Sequence, residues 1–500
     1  MAVTTVQSHC KGAQKPGPWR SGFFICMLTA LAASQSLTDI ATRSFLQSSV
    51  PLSVNPFDTI PRSTFLCNVG YADWYHAATY EGGNQQSEQI LETNHFSLQG
   101  MKTSRDWGVI GYVASHGLYG RVFDEEQKMV VRIPAQRARA GIAGWIRREW
   151  LAIQVSAGYS PNHPSLMIQN NPQIEYDLRC LVQTDGINGS IATSRAVRTA
   201  ALPFFMVLSN QSSRTFPVAC TQSTNSLSIE KKWPTVSSGA TLDYAVVENF
   251  DQSTNDADMP IAVNGEGVKL KLHALFSGLR AMTVAGECAG WYGQGTVRGY
   301  DRTETEFMRL DSIETFGVAG SAGIQRERLH ITLTGEWLKV VSQRGFFKTA
   351  AFSGWAMFDR VDYLLRDGAI NWWAIGPQAT FALPFVWGNK LSADISLQRF
   401  SLSCALTTIE KSVVILIPQY ADPVVSAPVS LQGWLGRIAL ADTIRVAGFC
   451  IVPSVSQLIP VVDRSGSGTG AGSLSNSPSA DQRTDWRGGT QYHLSVLLAL

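Results

Sequence analysis

The chain contains little charge and no long hydrophobic run. Charged residues make up 16% of its 500 residues, whereas a soluble domain carries about 25%. No uninterrupted apolar stretch reaches the ~18 residues expected of a membrane-spanning helix. The formal net charge is +2, which gives no reason to expect a nucleic-acid partner. These absences argue against a highly charged soluble protein and against a helical membrane protein.

Motifs that carry chemistry are also missing. The six cysteines beyond residue 33 are scattered without a C-x-x-C pair, and the histidines are isolated, with no H-E-x-x-H. Two glycine-rich segments, 317–323 and 466–472, lack the Lys-Ser/Thr of a phosphate-binding loop. We therefore predict no disulfide, metal, cofactor or catalytic residue. A hydrolase with a histidine beside a serine or aspartate at the rim of a barrel is the alternative.

The first 33 residues have the pattern of an export signal. Lys11, Lys15 and Arg20 precede an apolar run at residues 23–33, which is too short to span a bilayer. Ala30-Leu31-Ala32 matches the small-residue pattern of a cleavage site. The sequence therefore predicts a signal peptide at residues 1–33, with a buried helix as the alternative.

The remaining chain repeatedly shows the two-residue period of a β-strand. Leu270 and Leu272 alternate with Lys269, Lys271 and His273, an arrangement that puts apolar and polar side chains on opposite faces of a strand but not of a helix. The same alternation occurs in residues 151–159, 329–337 and 391–397. Many such segments approach ten residues, the length that crosses a bilayer at the tilt of a barrel. We count about 14 strands.

A soluble β-sandwich would alternate in the same way, with its apolar face turned to a core. Export, low charge and aromatic residues near strand ends favour a membrane barrel instead. These aromatic residues are Trp74, Trp107, Trp150, Trp337, Trp372, Trp373 and Trp387. We therefore predict an all-β fold, an antiparallel transmembrane β-barrel over residues 61–500 in a bacterial outer membrane.

Three segments stand apart from the strand pattern. Residues 34–60 are polar and contain two prolines, which predicts an N-terminal extension or a plug. Residues 464–489 are rich in glycine and serine, and we predict a flexible extracellular loop there. Residues 251–267 form a second polar loop. Its acidic residues lack the regular spacing of a calcium site, so we interpret it as a solvated loop.

The start of the predicted barrel resembles a known family. Asn55-Pro56-Phe57 precedes a first strand at residues 63–75 that ends in aromatic residues, followed by strands at 95–100 and 107–120. This arrangement is similar to the long-chain fatty-acid transporter (FadL-like) family. The resemblance implies a 14-stranded barrel that passes hydrophobic small molecules such as fatty acids.

Our leading functional hypothesis is accordingly an outer-membrane barrel that admits hydrophobic or amphipathic small molecules. The alternatives are a general diffusion porin and a non-transporting surface scaffold or adhesin. Lys269, Lys271 and His273 form a lumen-facing basic group that could attract a carboxylate or phosphate. The alternative interpretation is that these three residues form a solvated polar face, whose positive charge is balanced by Glu287 or Glu336. The expected partners are membrane lipid, a hydrophobic small-molecule ligand and the barrel-assembly machinery, without nucleic acid.

Overall fold

The computed structural model describes residues 55–58, 62–81, 84–123, 129–160, 173–201, 217–249, 261–279, 282–300, 306–348, 359–384, 390–414, 417–420, 424–446, 448–463, 483–486 and 488–499. These residues form strands, apart from short turns and one 3-10 helix, Pro56–Asp58. In the described part of the chain, no helix has the length and apolar character needed to cross a membrane.

The strands follow one another along the chain with few residues between them. In chain order they are β1 (Arg62–Glu81), β2 (Asn84–Thr103), β3 (Trp107–Phe123), β4 (Met129–Arg148), β5 (Leu151–Ser160), β6 (Gln173–Thr184), β7 (Ile187–Ala201), β8 (Pro217–Lys232), β9 (Val236–Asn249), β10 (Ile261–Leu279), β11 (Met282–Tyr300), β12 (Glu306–Arg326), β13 (Leu329–Lys348), β14 (Asp359–Pro384), β15 (Lys390–Val414), β16 (Ile417–Tyr420), β17 (Val424–Val446), β18 (Phe449–Asp463), β19 (Arg483–Trp486) and β20 (Gly489–Ala499).

The sheet closes on itself. β1 pairs antiparallel with β2 on one side and with β20 on the other, so that Val69 lies opposite both Phe96 and Leu494. The short strands β16 and β19 only pair with the ends of β15 and β1. The other 18 described strands form an antiparallel barrel, because β15 pairs with β17 and β18 pairs with β20. Closure gives the backbone groups of the first and last strands their partners.

The two ends of the barrel differ in their connections. At one end, only two or three residues join β2 to β3, β4 to β5, β6 to β7 and β8 to β9, and β1 begins and β20 ends there too. We call this end the short-turn rim. The opposite end carries the longer connections, including residues 161–172 and 202–216, and we call it the long-loop rim.

The prediction of about 14 strands was wrong, because four strands of the barrel were not recognised. β4 and β6 carry inward arginine and acidic side chains, including Arg139 and Asp177, which weaken the apolar alternation. β8 is rich in serine and threonine, and β18 contains Pro453 and Pro460. The turn between β17 and β18 lies at Gly448, where φ is 87°.

Two predicted loops are also partly strand. β10 begins at Ile261, so residues 261–267 belong to the wall and not to a polar loop. Arg483–Trp486 of the predicted loop 464–489 pairs with Ala77 to Tyr80 at the long-loop end of β1, and β20 begins at Gly489. Residues 464–482 and the predicted signal peptide lie outside the described residues. Cys67, Cys180, Cys288 and Cys450 are free thiols.

The outward face of the wall is apolar. Leu270 and Leu272 point outward and are 45% and 44% exposed, and Ile191 on β7 is 66% exposed. Such residues continue from strand to strand, with Leu333 on β13 and Ile395 on β15 among them. Soluble monomers seldom expose contiguous apolar patches larger than a few hundred Å². The outer surface is therefore suited to an apolar environment.

Outward aromatic side chains mark two levels of this apolar belt. Trp107, Trp150 and Trp233 lie at the short-turn rim. Tyrosines form the second level, as at Tyr159, eight residues beyond Leu151, where β5 begins. At ~3.3 Å per residue and a tilt of ~40°, eight residues correspond to about 20 Å, close to the ~25 Å apolar band of outer-membrane barrels. The other exposed outward tyrosines are Tyr71, Tyr176, Tyr244, Tyr292 and Tyr492.

Polar side chains resume directly beyond the tyrosine level. The hydroxyl of Tyr71 donates to Glu92 over 3.0 Å, and that of Tyr244 donates to Glu266 over 2.6 Å. Of the tryptophans expected near strand ends, Trp372 instead points inward and is only 5% exposed. The tyrosine level was not predicted, because its residues align only after the strands are paired.

Candidate functional site: the barrel lumen

The predicted basic group lies on the inward face of β10. Lys269, Lys271 and His273 alternate with the outward residues Leu270 and Leu272, as the sequence pattern predicted. The three side chains have different surroundings. That they bind a ligand stays a prediction.

Lys269 rests on an aromatic side chain that lies flat against the wall. Its Nζ is 6.0 Å from the centre of the Trp291 ring on β11. Trp291 in turn covers Gly317 on β12, where a β-carbon would overlap the indole ring. A cation over an indole face is stabilised by the ring electrons. The absence of a side chain at Gly317 thus creates the space that lets Trp291 hold Lys269 along the wall.

Lys271 forms an ion pair inside the barrel. Its Nζ lies 2.9 Å from Oε2 of Glu287 on β11, and both side chains are 44% exposed. Glu287 was one of the two carboxylates expected to balance this group. The other, Glu336, accepts a hydrogen bond of 2.8 Å from Nε1 of Trp372. The Lys271–Glu287 pair shows that solvent reaches this part of the inward wall.

His273 leans over a glycine towards a carboxylate. A β-carbon at Gly239 on β9 would collide with its imidazole ring. Glu230 on β8 lies opposite Gly239 in the register, and it accepts hydrogen bonds from Ser237 (2.7 Å) and Asn188 (3.2 Å). Glu230 thus has two neutral donors, and it lies close enough to interact electrostatically with His273.

One corner of the lumen is filled by side chains. Arg139 of β4 forms an ion pair with Glu175 of β6, and both side chains are almost fully buried. Tyr112 of β3 lies over Gly141 and Gly158, where a β-carbon would meet its hydroxyl group. β4 also approaches β7 across this corner. Sequence analysis missed the ion pair because neither β4 nor β6 was recognised.

The 3-10 helix is attached to the inward wall beside the short-turn rim. Nη1 of Arg147, one residue before the end of β4, donates to the carbonyl oxygens of Pro56 (2.7 Å) and Phe57 (3.1 Å). The Asn55 side chain accepts a hydrogen bond from the Phe57 amide, and Pro56 is fully buried. Residues 55–58 thus occupy part of the mouth of the barrel.

A polar network lines the inward face where the barrel closes. Asn68 on β1 donates to Ser97 on β2 over 3.2 Å and accepts from Ser495 on β20. This network ties the first two strands to the last one through side chains as well as through the backbone.

Inward charges of both signs occur around the wall. Among the described side chains, the basic ones include Arg139, Arg147, Arg179, Lys269, Lys271 and Arg437, and the acidic ones include Glu175, Asp177, Glu230, Asp243, Glu287, Glu336 and Asp394. In the described part of the chain, no group of three or more His, Cys, Asp or Glu side chains could hold a metal ion.

The sequence matches no family model, and it is not detectably similar to any curated protein. Among solved structures, the barrel is similar to Pseudomonas aeruginosa OccK7 (OpdD), with a TM-score of 0.40 and 10% identity over 88% of this chain and 98% of that one. A BenF-like porin from Pseudomonas fluorescens Pf-5 gives 0.39 and 11% over 88% and 99%. P. aeruginosa OpdK with vanillate gives 0.35 and 10% over 87% and 98%. At these TM-scores and identities the similarity does not show the function, which has to be inferred from the chain's own residues.

Proposed function

We propose that this chain is a diffusion porin of a bacterial outer membrane, through which small polar solutes pass along a water-filled lumen. The observation that carries the proposal is the Lys271–Glu287 pair, whose two side chains are 44% exposed although they point into a closed barrel. An inward charge keeps such exposure only where the lumen has room for water. A polar, water-filled interior is what distinguishes a porin lumen from a solid barrel core.

The membrane location rests on the outer surface. The apolar belt, the two aromatic levels and the hydrogen-bonded Glu92 and Glu266 beyond the tyrosines together fit a bilayer about 25 Å thick in its apolar part. In this orientation the short-turn rim is periplasmic and the long-loop rim is extracellular. A closed antiparallel sheet is the β-structure that leaves no unpaired backbone edge in hydrocarbon.

The polar lumen favours a general porin over the transporter of hydrophobic molecules that was our leading hypothesis. The inward faces of β8 to β11 carry Glu230, Asp243, Lys271 and Glu287, and an alkyl chain passing there would displace water from charged groups. The closed 18-stranded wall also differs from the 14 strands that the family resemblance implied.

The proposal is tested by single-channel recording in planar bilayers. We expect stepwise ion conductance from the refolded protein and none from the same preparation after boiling. Swelling of proteoliposomes in sugars of increasing size then measures the width of the lumen. Silent bilayers together with unswollen liposomes, from protein that shows the heat-modifiable band of a folded barrel, would refute it.

A matched pair of variants distinguishes flow through the lumen from leakage around the protein. Ala289 points inward beside Lys271, whereas the next residue, Gly290, points outward. Ala289→Trp should lower the conductance because the indole enters the lumen, and Gly290→Trp should leave it unchanged. Equal conductance in the two variants would contradict a current through the barrel.

A further inference from the structure

Four exposed cationic side chains point outward where the wall ends at the short-turn rim. Each continues the outward face of its strand, because side chains two positions apart lie on the same face. Arg148, for example, comes two residues after Ile146, which is 72% exposed. We call these four residues the rim cations. They are Lys102 of β2, Arg148 of β4, Lys231 of β8 and Arg326 of β12.

The rim cations lie directly beyond the apolar belt. At ~3.3 Å per residue and a tilt of ~40°, two residues advance about 5 Å along the barrel axis, which is the step from Ile146 to Arg148. Tryptophans mark the same depth. Nζ of Lys231 lies 5.1 Å from the centre of the Trp233 ring, and Trp107 lies opposite Ile146 in the register. Tryptophan at the edge of an apolar belt is typical of the level of the lipid headgroups.

The rim cations have no acidic neighbours in the register. Among the described residues, none of the four forms an ion pair. Asp442 shares the outward face of this rim, but it lies on β17, several strands away. The residues opposite the rim cations are Ser63 and Val109 for Lys102, Leu151 for Arg148, Ile187 and Ser238 for Lys231, and Met282 and Leu329 for Arg326.

The acidic residues at this end of the barrel lie in the turns. Glu149 and Glu327, for example, are exposed beyond the strand ends and form no ion pair with a rim cation. The outward wall at the headgroup level therefore carries positive charge, and its negative charges lie further from the belt.

The tyrosine level at the other edge of the belt is different, because its outward charges have both signs. Glu92 and Glu266 accept hydrogen bonds from tyrosine hydroxyls, whereas Arg399 lies 5.8 Å from the centre of the Trp434 ring. A headgroup that carries a phosphate but no ammonium group complements the rim cations best, since an ammonium group would be repelled by them.

We propose that the rim cations bind the phosphate groups of anionic phospholipids, of the phosphatidylglycerol type, in the leaflet at the short-turn rim. The inference rests on the membrane location given under the proposed function. Each side chain lays its aliphatic part along the edge of the apolar belt and places its charge among the phosphates. The phosphates thus supply the anionic partners that the rim cations lack within the protein.

The experiment uses the full barrel, refolded into phosphatidylcholine vesicles that contain a trace of spin-labelled lipid. Electron paramagnetic resonance measures how strongly the protein holds labelled phosphatidylglycerol relative to labelled phosphatidylcholine. We expect a preference of about two- to threefold for phosphatidylglycerol, because a cation near the surface attracts an anionic lipid about fivefold and only part of the surrounding lipid lies beside one. The preference should weaken in 1 M salt.

Two variants that each remove four positive charges locate the site. The rim variant combines Lys102→Gln, Arg148→Gln, Lys231→Gln and Arg326→Gln, and it should lose most of the preference. The control variant combines Lys232→Gln, Lys269→Gln, Lys271→Gln and Lys390→Gln on the inward face, and it should keep the wild-type preference. If the rim variant does not fold, the pairs Lys102→Gln/Arg148→Gln and Lys231→Gln/Arg326→Gln replace it, and each should lose about half of the preference.

The possible failures are distinguishable. A folded wild-type barrel that holds both lipids equally would overturn the proposal and would leave the rim cations to an acidic partner protein. A rim variant that keeps the wild-type preference would also overturn it, because the lipid would then bind elsewhere. Protein that enters no vesicle and shows no heat-modifiable band would contradict the membrane location itself and this inference with it.

Discussion

Breaking the Lys271–Glu287 pair should change the ion selectivity of the lumen with little effect on stability. The pair is 2.9 Å long, with both side chains 44% exposed, and exposed ion pairs contribute only about 0–1 kcal/mol to stability. Lys271→Gln leaves the negative charge of Glu287 facing the solvent of the lumen. We therefore expect Lys271→Gln to favour K⁺ over Cl⁻ and Glu287→Gln to favour Cl⁻ over K⁺.

The size of the effect follows from Coulomb's law. An ion that passes about 6 Å from an uncompensated charge in water has an interaction energy of about 0.7 kcal/mol, which screening in 0.1 M salt reduces to about 0.4 kcal/mol. That energy changes the local concentration of each ion about twofold, and so the permeability ratio about fourfold. In 1 M salt the Debye length is about 3 Å, and the change falls to roughly 1.4-fold.

Reversal potentials measured in planar bilayers under a salt gradient test this reasoning. The double variant Lys271→Gln/Glu287→Gln should return to the wild-type ratio, because it restores neutrality. Lys339→Gln, which removes an outward lysine of β13, should leave the ratio unchanged. The reasoning is refuted if both single variants retain the wild-type ratio at 0.1 M, since the pair would then not face the ion path.

Three further predictions concern the wall and its mouth. Gly108→Ala should destabilise the barrel by about 1–3 kcal/mol, because the new β-carbon overlaps the buried ring of Trp145. Urea titrations measure this change. Gly111→Ala is the control, because a β-carbon at Gly111 would have no atom within 4 Å. Leu272→Arg, in the middle of the apolar belt, should cost about 2–4 kcal/mol of folding free energy in lipid vesicles. Asn264→Arg lies on the same strand beyond the tyrosine level, and it should cost no more than about 1 kcal/mol. Arg147→Ala removes both hydrogen bonds to residues 55–58 and should increase single-channel conductance; an unchanged conductance would show that this segment does not narrow the path.

The fold class and most strands could be predicted from the sequence because one face of each strand is apolar. Residues 268–276 illustrate this, since every second side chain there is hydrophobic and outward. Of the strands that were missed, β8 has a weaker outward signal. Among residues 221–232 of β8, where the side chains are described, only Leu227 and Ile229 are strongly exposed hydrophobic residues, because the rest of this part consists largely of short polar side chains. A barrel strand needs only one apolar face within the belt, so its signal is short and easily lost.

The inward orientation of Lys269, Lys271 and His273 was predictable for the same reason, but their partners were not. Alternation in the sequence predicts on which face of a strand a side chain lies. Which side chains become its partners depends instead on the register between strands that are distant in sequence. Ser495 and Asn68, for example, are 427 residues apart. The ion pair of Arg139 with Glu175 likewise depends on the positions of two strands on either side of β5.

The same register explains part of the abundance of glycine, which totals 43 residues. Trp145 lies over Gly108, Trp291 over Gly317 and Tyr112 over Gly141, each across a strand boundary. Without these glycines the aromatic side chains would have to project into the lumen, because the wall offers them no other space. A slip of one residue between two strands would also turn every inward side chain outward. Register therefore determines both which residues face lipid and how wide the lumen is, and a glycine opposite a large aromatic residue is a local means of enforcing it.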